Sequence, residues 1–352
     1  MNNQIVTIKD IAAALGVSLT TVHKAIYDKK GISRATRQRV LDYIEKNDFR
    51  LNRAASALKR RPIQLVFAGV EPREFSRYFY QYINRGVDEC AEELRAFNVQ
   101  LTKYFTPELQ REEQSNLLRN IFAERGENID GLLLTSVSEH GLTEEIKMFT
   151  DQGIKVVTAN SDAYNSTRHA FIGDNADGAG RVAAELMCSL YMPPTGQVLL
   201  LGGNRELANH RLNAHGFLDE IHRRAQQIDI LEVYEFFDLD RLAERIERYL
   251  IAFDDIFGIY CNNARGTLIA CKTVQQMGLS GRIKVIGADV YEELLPYFDS
   301  NTLTATLYQN PREQGYLGLK YLYNLVTDEG KVPEITELNV GIALHNNIRG
   351  FL

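Results

Sequence analysis

A short stretch near the N-terminus places four polar side chains on what would be one face of a helix. They stand at positions i, i+3, i+4 and i+7, and they are Thr20, His23, Lys24 and Tyr27. Val22, Ala25 and Ile26 fall between them and would form the opposite, apolar face. A hydroxyl, an imidazole, an ammonium and a phenol on one face can donate hydrogen bonds to the phosphates and base edges of a nucleic acid.

The residues before this face predict another helix and a tight turn. The apolar stripe of that helix consists of Ile8, Ile11, Ala12 and Leu15. Thr7 is a suitable N-cap with Asp10 as its capping-box partner, Gly16 can end the helix, and Ser18 can cap the next one. Two helices joined in this way predict a helix-turn-helix that fills a DNA major groove. An ordinary capped helical hairpin is the alternative.

The charge distribution divides the chain into a basic head and an acidic body. Residues 1–61 hold 13 lysines and arginines against 5 acidic residues, a net charge of +8. The remaining residues hold 27 against 41, a net charge of −14. This asymmetry is typical of a polyanion-binding module attached to a domain that does not bind polyanions.

Length and composition predict two or three domains of an ordinary globular protein. The chain has 352 residues, of which 45% are hydrophobic. We find no apolar run long enough to cross a bilayer and no apolar signal core, so we expect a cytoplasmic protein without a membrane partner. The four cysteines lack the spacing of a zinc site, and we expect reduced, mostly buried thiols at Cys90, Cys188, Cys261 and Cys271.

Two further elements extend the basic head. Ser33 would cap a third helix whose buried stripe is Val40, Leu41 and Ile44. Arginines near its start could contact phosphates, and they are Arg34, Arg37 and Arg39. The alanine-rich stretch from Asn52 to Arg61 is too short for an isolated helix in water. It suits a segment that becomes helical on DNA and inserts Leu58 between base steps in the minor groove, although a basic interdomain tether is also compatible with it.

From Pro62 onward, short apolar strands alternate with amphipathic helices in two successive series. The first series of strands is 63–70, 99–105, 129–135 and 155–159, with helices around 79–96, 107–125 and 141–152. The second series of strands is 198–202, 228–234, 256–260, 283–288 and 302–307. This alternation predicts two similar lobes built on doubly wound parallel sheets.

Over nearly its whole length the sequence resembles the LacI/GalR transcription regulators. Gly16-Val17-Ser18 and Thr21-Val22 resemble the family headpiece, and the stretch from Asn52 to Leu58 resembles its hinge helix. The body resembles sugar-binding proteins of the ribose-binding type through motifs that occur in matching order: Gly86-Val87-Asp88-Glu89, Ile129-Asp130-Gly131, Ile172-Gly173-Asp174-Asn175, Gly178, Gly180, Arg211, Gly216-Phe217, Ile286-Gly287-Ala288-Asp289, Gln309-Asn310-Pro311 and Gln314-Gly315.

The resemblance implies an α/β fold class: an all-α helix-turn-helix headpiece plus a two-lobed, periplasmic-binding-protein-like domain of doubly wound parallel sheets. The headpiece would span residues 1–50, the hinge 51–62, and the effector-binding and dimerisation domain 63–352. Within that domain the N-lobe would comprise about 63–174 and 310–337, and the C-lobe about 175–309 and 338–352. The implied DNA contacts are Thr7, Ser18, Leu19, Thr20, Thr21, His23, Lys24, Tyr27, Arg34, Asn52, Ala55 and Leu58.

Ligands of such two-lobed proteins lie at the carboxyl ends of the strands. The positions that match the family's ligand contacts are Arg77, Phe79, Tyr80, Asn160, Ser161, Arg211, Asn262, Asp289 and Gln309. Aromatic faces could stack on a sugar, while Arg211 and Asp289 could hydrogen-bond its hydroxyls. Plain packing is an equally good interpretation of Phe79 and Tyr80.

Enzyme and metal sites find little support in the sequence. The stretch from Gly173 to Gly178 has some likeness to a calcium loop, but Gly173 and Ala184 stand where the first and twelfth ligands belong. Gly178 and Gly180 are better explained by close packing of a helix on a sheet. His210 and His215 lack a metalloprotease pattern, and we expect them at the surface or at the edge of the crevice. We therefore expect no enzyme activity, cofactor or metal.

The sequence thus predicts a homodimeric transcriptional repressor that binds a pseudo-palindromic operator in double-stranded DNA. A small-molecule effector, most simply a carbohydrate, would bind between the lobes and control the affinity for the operator. A sugar-binding protein without a DNA-binding role is the main alternative, and a DNA-processing enzyme is a third interpretation.

Overall fold

The computed structural model describes residues 8–26, 30–46, 61–74, 76–107, 109–138, 141–190, 193 and 195–352. The side chains of residues 8–10, 23, 45–46 and 190 are not described. Several predicted DNA contacts therefore lie outside the described residues, and they are Thr7, Tyr27, Asn52, Ala55 and Leu58, together with the side chain of His23.

Three helices form the N-terminal unit: α1 (Ile8–Leu15), α2 (Leu19–Ile26) and α3 (Arg34–Lys46). Their shared core consists of Ile11, Ala12, Val22, Ala25 and Val40. Gly16, with φ of +66°, permits the turn between α1 and α2. The Ser18 hydroxyl accepts a hydrogen bond from the Thr21 amide at 3.1 Å and so caps α2 as predicted. The prediction that Leu41 is buried is wrong, because α3 directs it away from the other two helices and leaves it 38% exposed.

Two six-stranded sheets form the body. The first sheet has the order β11-β5-β4-β3-β1-β2, all parallel. Its strands are β1 (Ile63–Val70), β2 (Val99–Thr106), β3 (Gly131–Thr135), β4 (Lys155–Ala159), β5 (Ala170–Asp174) and β11 (Ile335–Leu338). The second has the order β12-β10-β9-β8-β6-β7, with only β12 antiparallel to its neighbour. Its strands are β6 (Gly196–Leu201), β7 (Ile228–Val233), β8 (Ile256–Cys261), β9 (Lys284–Ala288), β10 (Leu303–Tyr308) and β12 (Gly341–Ala343).

Helices cover both faces of each sheet. The first sheet carries α4 (Arg77–Arg95), α5 (Arg111–Arg125), α6 (Thr143–Asp151) and α12 (Pro311–Thr327). The second carries α7 (Ala176–Leu190), α8 (Ala208–Arg224), α9 (Leu239–Ala252), α10 (Ala264–Gln276) and α11 (Leu295–Asp299). Short 3₁₀ helices span Gly126–Asn128, Glu292–Leu294 and Ile348–Gly350. We call each sheet with its helices the first lobe and the second lobe, and the doubly wound architecture confirms the predicted fold class.

The chain passes between the two sheets three times. It leaves the first sheet after β5 to form α7, returns after β10 to form α12, and leaves again between β11 and β12. The observed strands agree with the predicted ones to within two residues at each end, but β5, β11 and β12 are additional. No helix within the described ranges combines the length and apolar character needed to cross a membrane. The four cysteines are free thiols, and all but Cys188 are buried, as expected.

Each lobe contains one helix crossing in which the two backbones touch. A Cβ atom on Gly86 of α4 would lie 1.9 Å from the Arg312 carbonyl oxygen of α12, and one on Gly315 would lie 2.1 Å from the Ile83 carbonyl oxygen. In the second lobe, a Cβ atom on Gly180 of α7 would lie 1.9 Å from the Asn213 carbonyl oxygen of α8. The predicted helix-on-sheet role of Gly180 is thus corrected to helix-on-helix contact, because α8 covers it. Gly178 instead faces the side chain of Asn175.

Substitution of Gly86 by alanine tests this close approach. Because the new methyl group would overlap backbone atoms that no rotamer change can move, we expect Gly86→Ala to lower the free energy of unfolding by about 1–3 kcal/mol. Chemical denaturation followed by circular dichroism measures the change. Gly350→Ala is the matched control, since nothing lies within 4 Å of its added Cβ atom. Equal stability of the two variants would contradict the assignment.

Candidate ligand crevice and nucleic-acid interface

A crevice lies between the carboxyl ends of the strands of the two sheets, and its empty space is about 480 Å³ when the part open to solvent is included. Its aromatic side chains are Phe79, Tyr80 and Phe236. Its neutral polar side chains are Ser76, Asn160, Asn209, His210, Asn262, Asn263 and Gln309. Its ionisable side chains of opposite type are Arg265 and Asp289. The lining is completed by Leu109, Leu207 and Ala264.

The wall from the first lobe is formed by the start of α4 and the end of β4. Phe79 and Tyr80 pack edge to face, with ring centroids 5.3 Å apart. Asn160 follows β4 with a φ of +69°, which turns the chain sharply at the strand end. Its Nδ2 donates to the Tyr80 hydroxyl at 3.5 Å. Burial raises the pKa of Tyr80, so the phenol stays protonated and remains a hydrogen-bond donor.

The wall from the second lobe is organised by Asn262, directly after β8. Its Nδ2 donates to the carbonyl oxygens of Gly202 at 3.1 Å and His210 at 2.9 Å. These bonds join the loop after β6 and the start of α8 to the end of β8. Asn263 then caps α10, because its Oδ1 accepts from the Gly266 amide at 2.9 Å. The side-chain amide of Asn262 therefore stabilises this wall.

His210 is a neutral acceptor in this wall. Its Nδ1 accepts from the Asn204 amide at 3.0 Å, and its ring meets Phe236 edge to face at 5.2 Å. Burial and then the charge of Arg265 lower the pKa of His210 to about 4. We expected His210 at the surface or at the edge of the crevice, and the structure places it in the crevice lining, where its side chain is buried. His215 is exposed as expected, and its Nδ1 lies 3.2 Å from an Asp177 carboxylate oxygen.

Among the described residues that line the crevice, two side-chain oxygens at strand ends are buried without a hydrogen-bond partner. They are Oδ1 of Asn160, from the first lobe, and Oδ1 of Asp289, from the second. Burial above all, and then the nearby Asp174, raise the pKa of Asp289 well above its ordinary value, while the Ala264 amide opposes the shift. Buried polar atoms are rarely left unsatisfied, so both oxygens indicate a place for a polar ligand.

The lobes also touch beside the crevice. Tyr78 of α4 stacks on Tyr291 of the second lobe, with ring centroids 4.2 Å apart. The Tyr291 hydroxyl donates to the Ala264 carbonyl oxygen at 2.8 Å, next to the start of α10. Arg77 donates to Glu293 at 2.5 Å, and both side chains are substantially exposed. Such an exposed ion pair stabilises little, so the buried ring stack is the stronger link.

Six of the predicted ligand residues line the crevice, and they are Phe79, Tyr80, Asn160, Asn262, Asp289 and Gln309. Arg77, Ser161 and Arg211 are not among the lining residues. Arg77 is turned towards Glu293 at the outer rim, and Arg211 lies on an exposed face of α8, where it donates to the Arg205 carbonyl oxygen at 3.3 Å. Ser161 is buried one residue beyond Asn160.

Arg265 and Phe236 are the main lining residues that sequence analysis missed. Both follow strands of the second sheet, Phe236 after β7 and Arg265 after β8. The rule that ligands lie at the carboxyl ends of strands could therefore have identified them. Arg265, instead of Arg211, is the arginine of the crevice. The other missed residues are Ser76, Leu109, Leu207, Asn209, Asn263 and Ala264.

The start of α2 presents the predicted nucleic-acid contacts on the surface. Leu19 is 48% exposed. Thr20 and Arg34 are exposed, and Thr21 and Lys24 are half-buried. The Ser18 and Thr21 hydroxyls bond to each other at 2.9 Å. Arg39 is partly engaged elsewhere, since it donates to the Leu15 carbonyl oxygen at 3.3 Å.

Comparison with known proteins agrees with this two-part organisation. Residues 7–52 match the model of bacterial regulatory proteins of the lacI family, and residues 69–331 match the periplasmic binding protein domain. The chain is 24% identical over 348 residues to the HTH-type transcriptional repressor PurR of Photobacterium profundum, a match that covers 97% of this chain and 98% of that protein. It is also 24% identical over 349 residues to the ribose operon repressor of Lactococcus lactis, with the same coverage of 97% and 98%.

Solved structures show the fold of the body. A solute-binding protein from Burkholderia graminis, in complex with D-arabinose, superposes with a TM-score of 0.73 at 20% identity, and the match covers 82% of this chain and 97% of that one. Among the described residues, no group of three or more histidine, cysteine, aspartate or glutamate side chains could hold a metal ion. With a helix-turn-helix unit ahead of a periplasmic binding protein domain, the chain belongs to the lacI family of bacterial regulatory proteins.

Proposed function

We propose that the protein is a homodimeric repressor that binds DNA in the cytoplasm. We further propose that a carbohydrate bound between the lobes changes its affinity for the operator. The observation that carries the proposal is the combination, in one chain, of an exposed helix-turn-helix and a crevice with unsatisfied polar atoms from both lobes. The proposed division is a headpiece at 1–50, a hinge at 51–62 and an effector and dimerisation domain at 63–352.

The crevice has the chemistry that a carbohydrate requires. Phe79, Tyr80 and Phe236 offer rings on which the C–H face of a sugar can stack. Asn160, Asp289 and Gln309 offer donors and acceptors for neighbouring hydroxyls. The Burkholderia graminis protein in complex with D-arabinose and the Lactococcus lactis ribose operon repressor support a sugar as the first class to test.

The DNA contacts that we propose divide into two kinds. Leu19, Thr20 and Lys24 would read base edges in the major groove. Ser18, Thr21, His23 and Arg34 would contact phosphates, and Thr7, Tyr27, Asn52, Ala55 and Leu58 complete the proposed set. Leu58 would widen the minor groove as an apolar wedge in a hinge that folds on DNA.

Ligand control would act through the connections between the lobes. A ligand that contacts both lobes favours one relative arrangement of the two sheets, because it can satisfy Asn160 and Asp289 together only there. The three chain crossings would carry that change to the spacing of two hinge segments in a dimer. A coupling of about 1–3 kcal/mol is enough to change operator affinity appreciably.

Salt-dependent gel shifts with fragments of genomic DNA test the proposal as a whole. We expect the full-length protein to retain a small set of fragments at low salt and to lose them progressively as salt rises. A sugar from a panel that includes D-arabinose, D-ribose and D-allose should change the retained fraction. A protein that bound such a sugar but ignored every duplex would instead be a solute-binding protein.

Lys24→Ala tests the base-reading role of α2. Removal of the ammonium group should cost about 1–3 kcal/mol in discrimination at one base pair of each half-site, because the donor to that base edge is lost. Competition binding against operators with single base changes measures it. Arg34→Ala is the comparison, and it should weaken binding to all sequences alike. If Lys24→Ala also weakened all sequences alike, Lys24 would contact phosphate only.

Asp289→Ala tests the crevice. Loss of a buried hydrogen-bonding group should weaken sugar binding about tenfold or more, since such bonds contribute roughly 1–3 kcal/mol when a partner is left unpaired. The shift of the thermal midpoint with sugar concentration reports the affinity. Asp299→Ala removes an exposed carboxylate next to His345 and should leave the affinity unchanged. DNA binding without sugar should survive in both variants, and unaltered sugar binding by Asp289→Ala would place the ligand elsewhere.

A further inference from the structure

Among the described residues, one guanidinium lines the crevice, and no ion pair between described residues neutralises it. Arg265 stands in the first turn of α10 and lines the crevice, with its guanidinium carbon 4.8 Å from the centre of the Phe236 ring. Within the described chain it makes no hydrogen bond and no ion pair. Ring stacking orients the guanidinium but leaves its donors free for another group.

This arginine is also partly removed from water. Burial lowers the pKa of Arg265, and Tyr80 and then Glu74 oppose the shift. Glu74 is therefore close enough to influence the guanidinium, yet the two do not form an ion pair in the part of the chain that the structure describes. A guanidinium stays charged throughout the physiological range, so the cost of desolvating it remains until an anion binds.

The surroundings of Arg265 favour an anion as well. Three helices begin at the crevice: α4 near Tyr80, α8 near His210 and α10 at Arg265 itself. The amino ends of helices attract negative charge. Burial raises the pKa of Asp289 and raises that of Asp174 to about 7, which favours the neutral forms of these two carboxyl groups. His210 is neutral and adds no competing charge.

A second feature shows that the same cavity receives a polar molecule. Asn160 and Asp289 are 5% and 4% exposed, and each has a side-chain oxygen without a partner among the described residues. Neutral hydroxyl groups suit the Asn160 oxygen, and the Asp289 carboxyl group can accept from a hydroxyl and, when it is protonated, can also donate to one. The site therefore combines positions for hydroxyls with one position for an anion.

We propose that the effector is an acidic carbohydrate, a polyhydroxylated molecule whose carboxylate or phosphate pairs with Arg265. This inference rests on the proposed function and narrows its ligand class. The planar guanidinium can bind two oxygens of either anion side by side, which a neutral hydroxyl cannot exploit. Carboxylate and phosphate share this chemistry, and titrations with a sugar acid and with sugar phosphates distinguish them.

The experiment compares neutral sugars with their acidic counterparts on the full-length protein. Isothermal titration calorimetry is run with D-ribose and D-ribose 5-phosphate, and with D-glucose, D-gluconate and D-glucose 6-phosphate. We expect at least one acidic compound to bind roughly ten to a hundred times more tightly than its neutral parent, since charge-assisted hydrogen bonds are about twice as strong as neutral ones. Inorganic phosphate alone should compete only weakly.

Variants assign the preference to one side chain. Arg265→Gln should abolish the difference in affinity between acidic and neutral sugars while neutral sugars still bind. Arg265→Lys should keep part of that difference. Arg205→Gln is the matched control, because Arg205 also stacks on an aromatic ring, that of Tyr234 at 3.7 Å, but lies outside the crevice lining. It should leave the difference in affinity unchanged. The retained neutral binding shows that Arg265→Gln is folded.

The possible outcomes are distinguishable. Neutral sugars that bind as tightly as acidic ones would overturn the acidic class and leave the carbohydrate-controlled repressor intact. A preference for acidic sugars that survives in Arg265→Gln would overturn the role of Arg265. If no compound of either kind bound while DNA binding persisted, the carbohydrate effector itself would be wrong, and the acidic class with it.

Discussion

The structure depends on polar atoms that are buried at the ends of strands without a partner in the described chain. Asn160 ends β4 in the first lobe and Asp289 ends β9 in the second, and both adopt a positive φ, +69° and +68°. An unsatisfied buried polar atom costs about 1–3 kcal/mol, so the fold retains two such costs at one place. The same constraint makes the crevice selective, because a molecule without hydrogen-bond donors gains nothing from either oxygen. Strained backbone at a ligand site is a common feature of binding proteins.

Rigid elements hold these atoms in position. The backbone contacts at Gly86 in the first lobe and Gly180 in the second fix pairs of helices against each sheet with no side chain between them. Asn262 fixes the second wall, since its amide joins the ends of β6 and β8 to α8. The Tyr78–Tyr291 stack then connects the lobes themselves. The three chain crossings are the covalent connections between the two lobes.

Much of this fold could be predicted because buried parallel strands consist of short apolar runs that are easy to recognise in the sequence. The strands that escaped prediction are β5, β11 and β12. The exposure of Ile335 at 54% shows why β11 was missed, since an edge strand with exposed apolar residues has no clear alternation.

The site residues were harder to predict than the strands. The resemblance pointed to Arg211, but the turn of α8 directs it outward, whereas Arg265 at the end of β8 faces the crevice. Which strand-end side chains converge depends on how two lobes meet, and that is not a local property of sequence.

The arrangement of contacts between the lobes limits how a ligand can control the protein. A ligand shifts an equilibrium between two arrangements only by the difference in its affinity for them. At the rim, the Tyr78–Tyr291 stack and the Arg77–Glu293 pair already join the lobes without any ligand group. The differential contacts must therefore come from deeper positions, where Asn160 faces the cavity from one lobe and Asp289 and Arg265 from the other. A molecule long enough to reach both sides, with hydroxyls for the oxygens and a negative charge for the guanidinium, would most strongly favour an arrangement in which it contacts both lobes. Selectivity for the ligand and control of the lobes would then arise from the same three side chains.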